Sequence, residues 1–201
     1  MKTLKNLLML LIAVSATAST ALAHDMHMAG SKEGFLGLKP EYLHVLLNPL
    51  PVYGLGIGIV TLAIGLLARN KSTRTAGLII TAICAASAWP VLYFGQHGYN
   101  NLAPMLDTES HQWLDEHMNR AERFIYFFYA TAVLAIAALA FPKKFPKACI
   151  PLALLTLTLG AVSLGIGGWI SRSGGQVSHS EFRTGQEPEN APAPQNTNTN
   201  N

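Results

Sequence analysis

Pro90-Val-Leu-Tyr-Phe-Gly-Gln-His-Gly-Tyr99, running on to Trp113-Leu-Asp-Glu-His-Met-Asn-Arg-Ala-Glu-Arg123, is the only long polar stretch lying between two strongly apolar ones. It carries three of the seven histidines, His97, His111 and His117, and five acidic residues. The apolar runs on either side approach the ~20 residues that a helix needs to cross the hydrocarbon of a bilayer. The stretch therefore reads as the connection between two membrane spans. Working backward, the second span covers about 75–94 and the first about 51–68, separated by Arg69-Asn-Lys-Ser-Thr-Arg74. The first opens on Asn48-Pro-Leu-Pro51, where proline is tolerated because a first-turn N–H has no helical partner. Working forward, the third span covers about 121–141, as the membrane part of a longer helix that begins near Asp107. The turn Pro142-Lys-Lys-Phe-Pro-Lys147 leads to the fourth, about 148–170. The expected fold is an all-α membrane protein, an antiparallel four-helix transmembrane bundle.

Composition agrees. Only 12% of residues are charged, against about a quarter in soluble domains, and half are hydrophobic. The net charge of +3 is small and sits at the ends of apolar runs, which argues for membrane topology and against nucleic acid. Both short turns, 69–74 and 142–147, hold three Lys or Arg and no acid, so the positive-inside rule places them in the cytoplasm. The 95–120 connection and both termini then lie outside. Met1–Ala23 has a basic start (Lys2, Lys5), an apolar core and Ala21-Leu-Ala23, the pattern of a cleaved signal peptide. This independent argument gives the same orientation, and a bacterial inner membrane is the expected location. Residues 24–50 form an outer N-terminal segment, amphipathic from Gly30 to Leu47. Residues 171–201 form an outer tail, expected to be disordered from about Thr184 because Pro, Asn, Gln and Thr there offer nothing to bury.

Small residues suggest how the helices pack. Gly54 and Gly58 form a GxxxG, and Ala82/Ala86, Ala161/Gly165 and Ser163/Gly167 have the same spacing. Such faces let helix backbones approach closely in lipid, and a homo-oligomer through Gly54 and Gly58 is an equal reading. Tyr42, Trp89, Tyr93, Tyr99, Trp113 and Trp169 gather toward the outer interface as an aromatic belt. Cys84 and Cys149 read as two small apolar residues, too far apart in depth to bond.

No ionisable residue lies in the apolar interior of any span, which argues against proton-coupled transport and against haem ligated deep in the bundle. The chain has no phosphate loop, nucleophile elbow, CxxC, CxxCH or HExxH. Chemistry is left to the outer end, where each span contributes one histidine: His44, His97, His117 and His179. His117 shares a helical face with Leu114, Ala121, Phe124 and Ile125, so it points inward. His111 lies four residues before Asp115 and pairs with it, and Glu116 and Arg120 make a surface i,i+4 pair. Pro90 removes a helical hydrogen bond and kinks the second span, which would open a pocket lined by Tyr93, Tyr126 and Tyr129. Separately, His24-Asp-Met26-His27-Met28 combines imidazole with thioether, a ligand set that suits copper, Cu(I) above all.

Three places in the chain resemble a family of small four-helix bacterial inner-membrane proteins, the domain of unknown function numbered 2231. Asn48-Pro-Leu-Pro-Val-Tyr53 resembles its His-Pro-x-x-Val-His opening of the first helix. Asp115-Glu-His-Met-Asn-Arg-Ala121 resembles its His-x-x-x-Ala at the start of the third. Gly167-Gly-Trp through Gly174-Gly-Gln-Val-Ser-His179 resembles its Gly-rich exit. The resemblance covers about 44–183 and implies the four-span architecture, with His117 and His179 as the positions that carry over. Asn48 and Tyr53 stand where that family often has histidines.

The expected function is a binding or redox-accessory membrane protein holding haem or a transition metal, with His117, His179, His97 and His44 as ligands. The alternative is a non-catalytic scaffold that binds a periplasmic protein partner. No residue pattern points to catalysis.

Overall fold

The computed structural model describes residues 37–141 and 145–183, together with Pro188. All regular elements among the described residues are helical. The signal-peptide reading of 1–23, the His24–Met28 cluster, Lys143, Lys144 and all of the tail beyond Arg183 except Pro188 lie outside the described residues.

Four rods result. The first comprises α1 (Pro40–Leu47), a π turn (Leu50–Gly54) and α2 (Leu55–Leu67). Pro49 and Pro51 lack the N–H that would close two α-type bonds, and the wider π turn absorbs the defect without stopping the rod. The helix therefore begins at Pro40 and not at Pro51: the end of the expected outer segment is the first turns of the span. The second rod comprises α3 (Lys71–Ala86) and α4 (Ala88–Leu102). Asn70 caps α3 by accepting from the Thr73 N–H at 3.0 Å. The rod breaks at Ser87, where Pro90 cannot donate to the carbonyl one turn back. The third rod is α5 (Thr108–Ala140), capped by Asp107, which accepts from the Ser110 N–H at 2.9 Å. The fourth is α6 (Cys149–Ser178). All four rods are long and apolar enough to cross a membrane.

Between the helices, small and hydroxyl side chains lie among the large apolar ones: Thr81, Thr131, Thr156, Ser163, Ala85, Ala135 and Ala153 are completely buried, as are Leu55 and Leu62. Ser163 and Thr131 hydrogen-bond across α5 and α6 at 2.9 Å. Bulky aliphatics such as Ile57, Val60, Ile64, Ile83, Val133, Ile136, Leu154 and Leu155 face outward. A water-facing surface rarely carries so much contiguous apolar area, whereas lipid accommodates it.

Glycine fixes the closest approach. A Cβ on Gly58 would come within 2.8 Å of the Thr81 backbone nitrogen, so α2 and α3 touch main chain to main chain. Gly54 faces the Cys84 side chain, whose Sγ a Cβ would approach to 2.6 Å, so the Gly54/Gly58 face meets the second rod of its own chain. On α6, Ser163 and Gly167 turn inward, while Ala161 and Gly165 are exposed. Cys84 and Cys149 are free thiols.

The end opposite the 69–74 turn is closed by polar and aromatic contacts. Trp113, expected in the aromatic belt, is instead buried with Leu114 and Val177 beneath Tyr99 and Leu106, because α5 continues past the apolar zone and leans on the end of α6. Arg183 ties the chain back by donating to the Gln176 carbonyl at 2.6 Å, the Val177 carbonyl at 2.8 Å and Ser110 Oγ at 2.8 Å.

Candidate functional site

His44 lies on α1, half-buried, one turn before the helix meets Pro49. Its Nδ1 is 2.8 Å from the carbonyl oxygen of Val91 on α4. A carbonyl only accepts, so Nδ1 carries the proton and donates. The ring reaches that carbonyl because Gly95 leaves room: a Cβ there would stand 2.9 Å from His44 Nδ1.

His117 lies on α5, also half-buried, with Nδ1 3.0 Å from the Ile170 carbonyl on α6. It donates for the same reason. Ser173 Oγ also donates to that carbonyl at 2.7 Å. Gly174 leaves room for the ring: a Cβ there would stand 3.0 Å from Cε1 and 3.1 Å from Nδ1.

The two rings meet. Their centroids are 6.1 Å apart with an interplanar angle of 82°. With both Nδ1 atoms donating, each ring in its neutral form keeps the lone pair on Nε2. Both line one half-open cavity. All four rods contribute to its wall, including Asn48 and Pro51, Ala88 and Leu92, Met118 and Ile125, and Gly167 and Ser171. The wall is mainly apolar, and Met118 brings a thioether to it.

The Pro90 kink thus opens the bundle onto a cavity with a different wall from the expected one. Tyr93 stacks on Trp89 and His97, with centroids 5.7 and 4.1 Å away, and Tyr126 is exposed against Tyr129. None of the three tyrosines lines this cavity, because the break turns Val91 and Gly95, and not Tyr93, toward α1, while Tyr129 packs half-buried against the core of Leu55, Ile125 and Phe128.

Of the four expected ligands the structure brings together two. His97 is exposed, its Nδ1 2.8 Å from the Tyr93 carbonyl of its own helix. His179 is exposed beyond α6, 3.0 Å from Glu181. His111 lies 3.5 Å from Asp115, which also accepts from the Tyr99 hydroxyl. The Glu116–Arg120 pair is not at the surface. Glu116 is buried, Arg120 donates to it at 2.6 Å, and the Arg120 guanidinium lies over the Trp169 ring at 4.2 Å. The pair pins α5 to α6 beside the His117–Ile170 bond.

Sequence reasoning missed four participants: the Val91 and Ile170 carbonyls, Gly95 and Gly174. A main-chain acceptor carries no residue-type signal. Gly174 lay within the Gly-rich exit, but nothing local marked either glycine as facing a histidine. Compared with family models, curated proteins and solved structures, the chain matches none of them.

Proposed function

We propose that this chain is a four-span integral membrane protein that binds one transition-metal ion between His44 and His117, at the periplasmic end of the bundle. The observation that carries the reading is the pair itself. Two imidazoles on opposite sides of one ion, with metal–nitrogen bonds of about 2 Å and about 1 Å from each nitrogen to its ring centre, have centroids about 6 Å apart. The observed separation is 6.1 Å. A histidine that ligates a metal through one nitrogen almost always donates the other N–H to a carbonyl, carboxylate or water, which fixes its tautomer. Both rings already do so.

The donor set favours copper(I). Zinc takes three or four protein ligands, and among the described residues no group of three or more His, Cys, Asp or Glu could hold an ion. Soft Cu(I) accepts imidazole and thioether, and Met118 lines the same cavity. The His24–Met28 segment has the same donor chemistry and would capture copper as a separate feature. A second reading, haem iron held by the same two imidazoles, is favoured by the mainly apolar wall around them. Met118 in that wall adds a residue type that Cu(I) accepts, which puts the ion first. Membrane insertion rests on the four apolar rods and their outward aliphatic faces, and the orientation on the basic turns.

The test is metal analysis and an absorption spectrum of the full chain, purified in detergent from cells supplied with copper, iron and haem. Copper lost in His44→Ala and His117→Ala is the expected result. A Soret band lost in the same variants selects haem. A colourless, metal-free preparation refutes both and leaves the scaffold role.

A further inference from the structure

The site is built twice. The first and second rods form one hairpin, the third and fourth another. In each, a histidine on the leading rod donates Nδ1–H to a main-chain carbonyl on the following rod: His44 to Val91, His117 to Ile170. In each, a glycine four residues beyond the accepting carbonyl faces the imidazole, with a would-be Cβ at 2.9 Å from the His44 ring and 3.0 Å from the His117 ring. A histidine that merely satisfies itself needs no second copy on a separate hairpin, and no second copy whose ring meets the first.

We infer that the two hairpins supply equivalent halves of one linear, two-imidazole site for a monovalent soft ion, with Gly95 and Gly174 as its positioning residues. The inference rests on the metal-binding reading above and adds how each half works. The carbonyl fixes the tautomer, so that Nε2 presents a lone pair. The glycine admits the ring beside the helix, so that the ring reaches the carbonyl. Two imidazole nitrogens brought to one ion suit a d10 monovalent ion, whereas zinc takes three or four protein ligands and no group of three or more His, Cys, Asp or Glu that could hold an ion occurs among the described residues. Any β-carbon at either glycine pushes its imidazole off the carbonyl and out of line with its partner. Outer-shell changes of this kind typically cost roughly 10–100-fold in metal affinity.

The experiment measures Cu(I) affinity of the detergent-purified full chain against a chromophoric Cu(I) chelator under reductant, with Ag(I) as a redox-inert second probe. The background is the H24A, M26A, H27A and M28A variant, so that only the bundle site is read. Gly95→Ala and Gly174→Ala should each weaken both ions by roughly 10–100-fold. Gly168→Ala, where a Cβ meets nothing within 4 Å, should leave them unchanged. Copper K-edge absorption should report two-coordinate copper, or three-coordinate if Met118 joins, in the parent background and loss of that signature in both glycine variants. Epistasis separates positioning from mere packing. Gly95→Ala should be better tolerated in thermal unfolding once His44→Ala is present, because the clashing ring is gone. If the background protein binds neither ion, the metal reading fails. If it binds and the glycine variants bind equally well, or if Gly95→Ala unfolds the protein equally with and without His44, the positioning role is overturned.

Discussion

The Glu116–Arg120 pair offers a sharp test of how the site end is held. Side-chain exposure is 1% for Glu116 and 14% for Arg120, and the bond between them is 2.6 Å. A surface i,i+4 pair contributes only about 0.3–0.5 kcal/mol. Removing one member of a buried pair costs about 3–5 kcal/mol, because the other charge stays desolvated. The structure places this pair in the second regime. It also predicts an asymmetry. Arg120→Met takes the guanidinium from the deeper carboxylate and should cost clearly more than a surface pair contributes, up to about 3–5 kcal/mol. Glu116→Gln leaves Arg120 over Trp169, where the cation–π contact contributes about 0.5–2 kcal/mol, and the flexible stem can reach toward water. That variant should cost less. Replacing both with methionine should recover much of the Arg120→Met loss, since an apolar pair of similar volume is often neutral in such a position. The assay is unfolding in mixed detergent–SDS micelles, followed by helical circular dichroism. An Arg120→Met cost under about 1 kcal/mol, with single effects that simply add in the double variant, would show a solvent-screened surface pair and refute the argument.

Three further outcomes follow from the geometry. Gly58→Val should destabilise the bundle by about 1–3 kcal/mol by driving α2 off the Thr81 backbone, while Gly165→Ala, with nothing within 4 Å, should be neutral or slightly favourable in the same assay. The Ser110 hydrogen bonds hold the Asp107 carboxyl below its ordinary value. The stabilisation from this cap is therefore full above the unfolded-state value, about 3.9, and is lost as pH falls through the lower folded value. Thermal melts of Asp107→Asn should lack that acid-side loss. In a Cys84→Ser, Cys149→Ser background, Asn101→Cys should react with a membrane-impermeant maleimide added to spheroplasts, and Asn70→Cys should react only after lysis. The reverse pattern would invert the proposed orientation.

The four long apolar rods were legible because hydropathy needs no tertiary information. Their ends were less so: Pro49 and Pro51 read as a helix start, but a π turn carries the helix through them. The inward direction of His117 followed from helical phase, since its neighbours at three, four, seven and eight residues are apolar. Its pairing with His44 did not, because 73 residues of chain separate them and only the bundle brings α1 beside α5. His97 and His179 stand at the same end of the sequence pattern, yet local acceptors, the Tyr93 carbonyl and Glu181, hold them. Glu116 and Arg120 looked like a surface pair because spacing gives phase along one helix and says nothing of Trp169 on the next.

Both imidazoles are anchored to main chain and not to side chains. A mutational scan read for the anchors would therefore miss them: a side-chain substitution at Val91 or Ile170 leaves the amide oxygen in place. The carbonyls themselves move only when one rod slides along another, which carries carbonyl and glycine away from the ring together. Ring orientation and helix register are thus a single mechanical variable. Whatever shifts the rods, whether a change in bilayer thickness or a docked protein, would be felt by the two nitrogens as a change in aim.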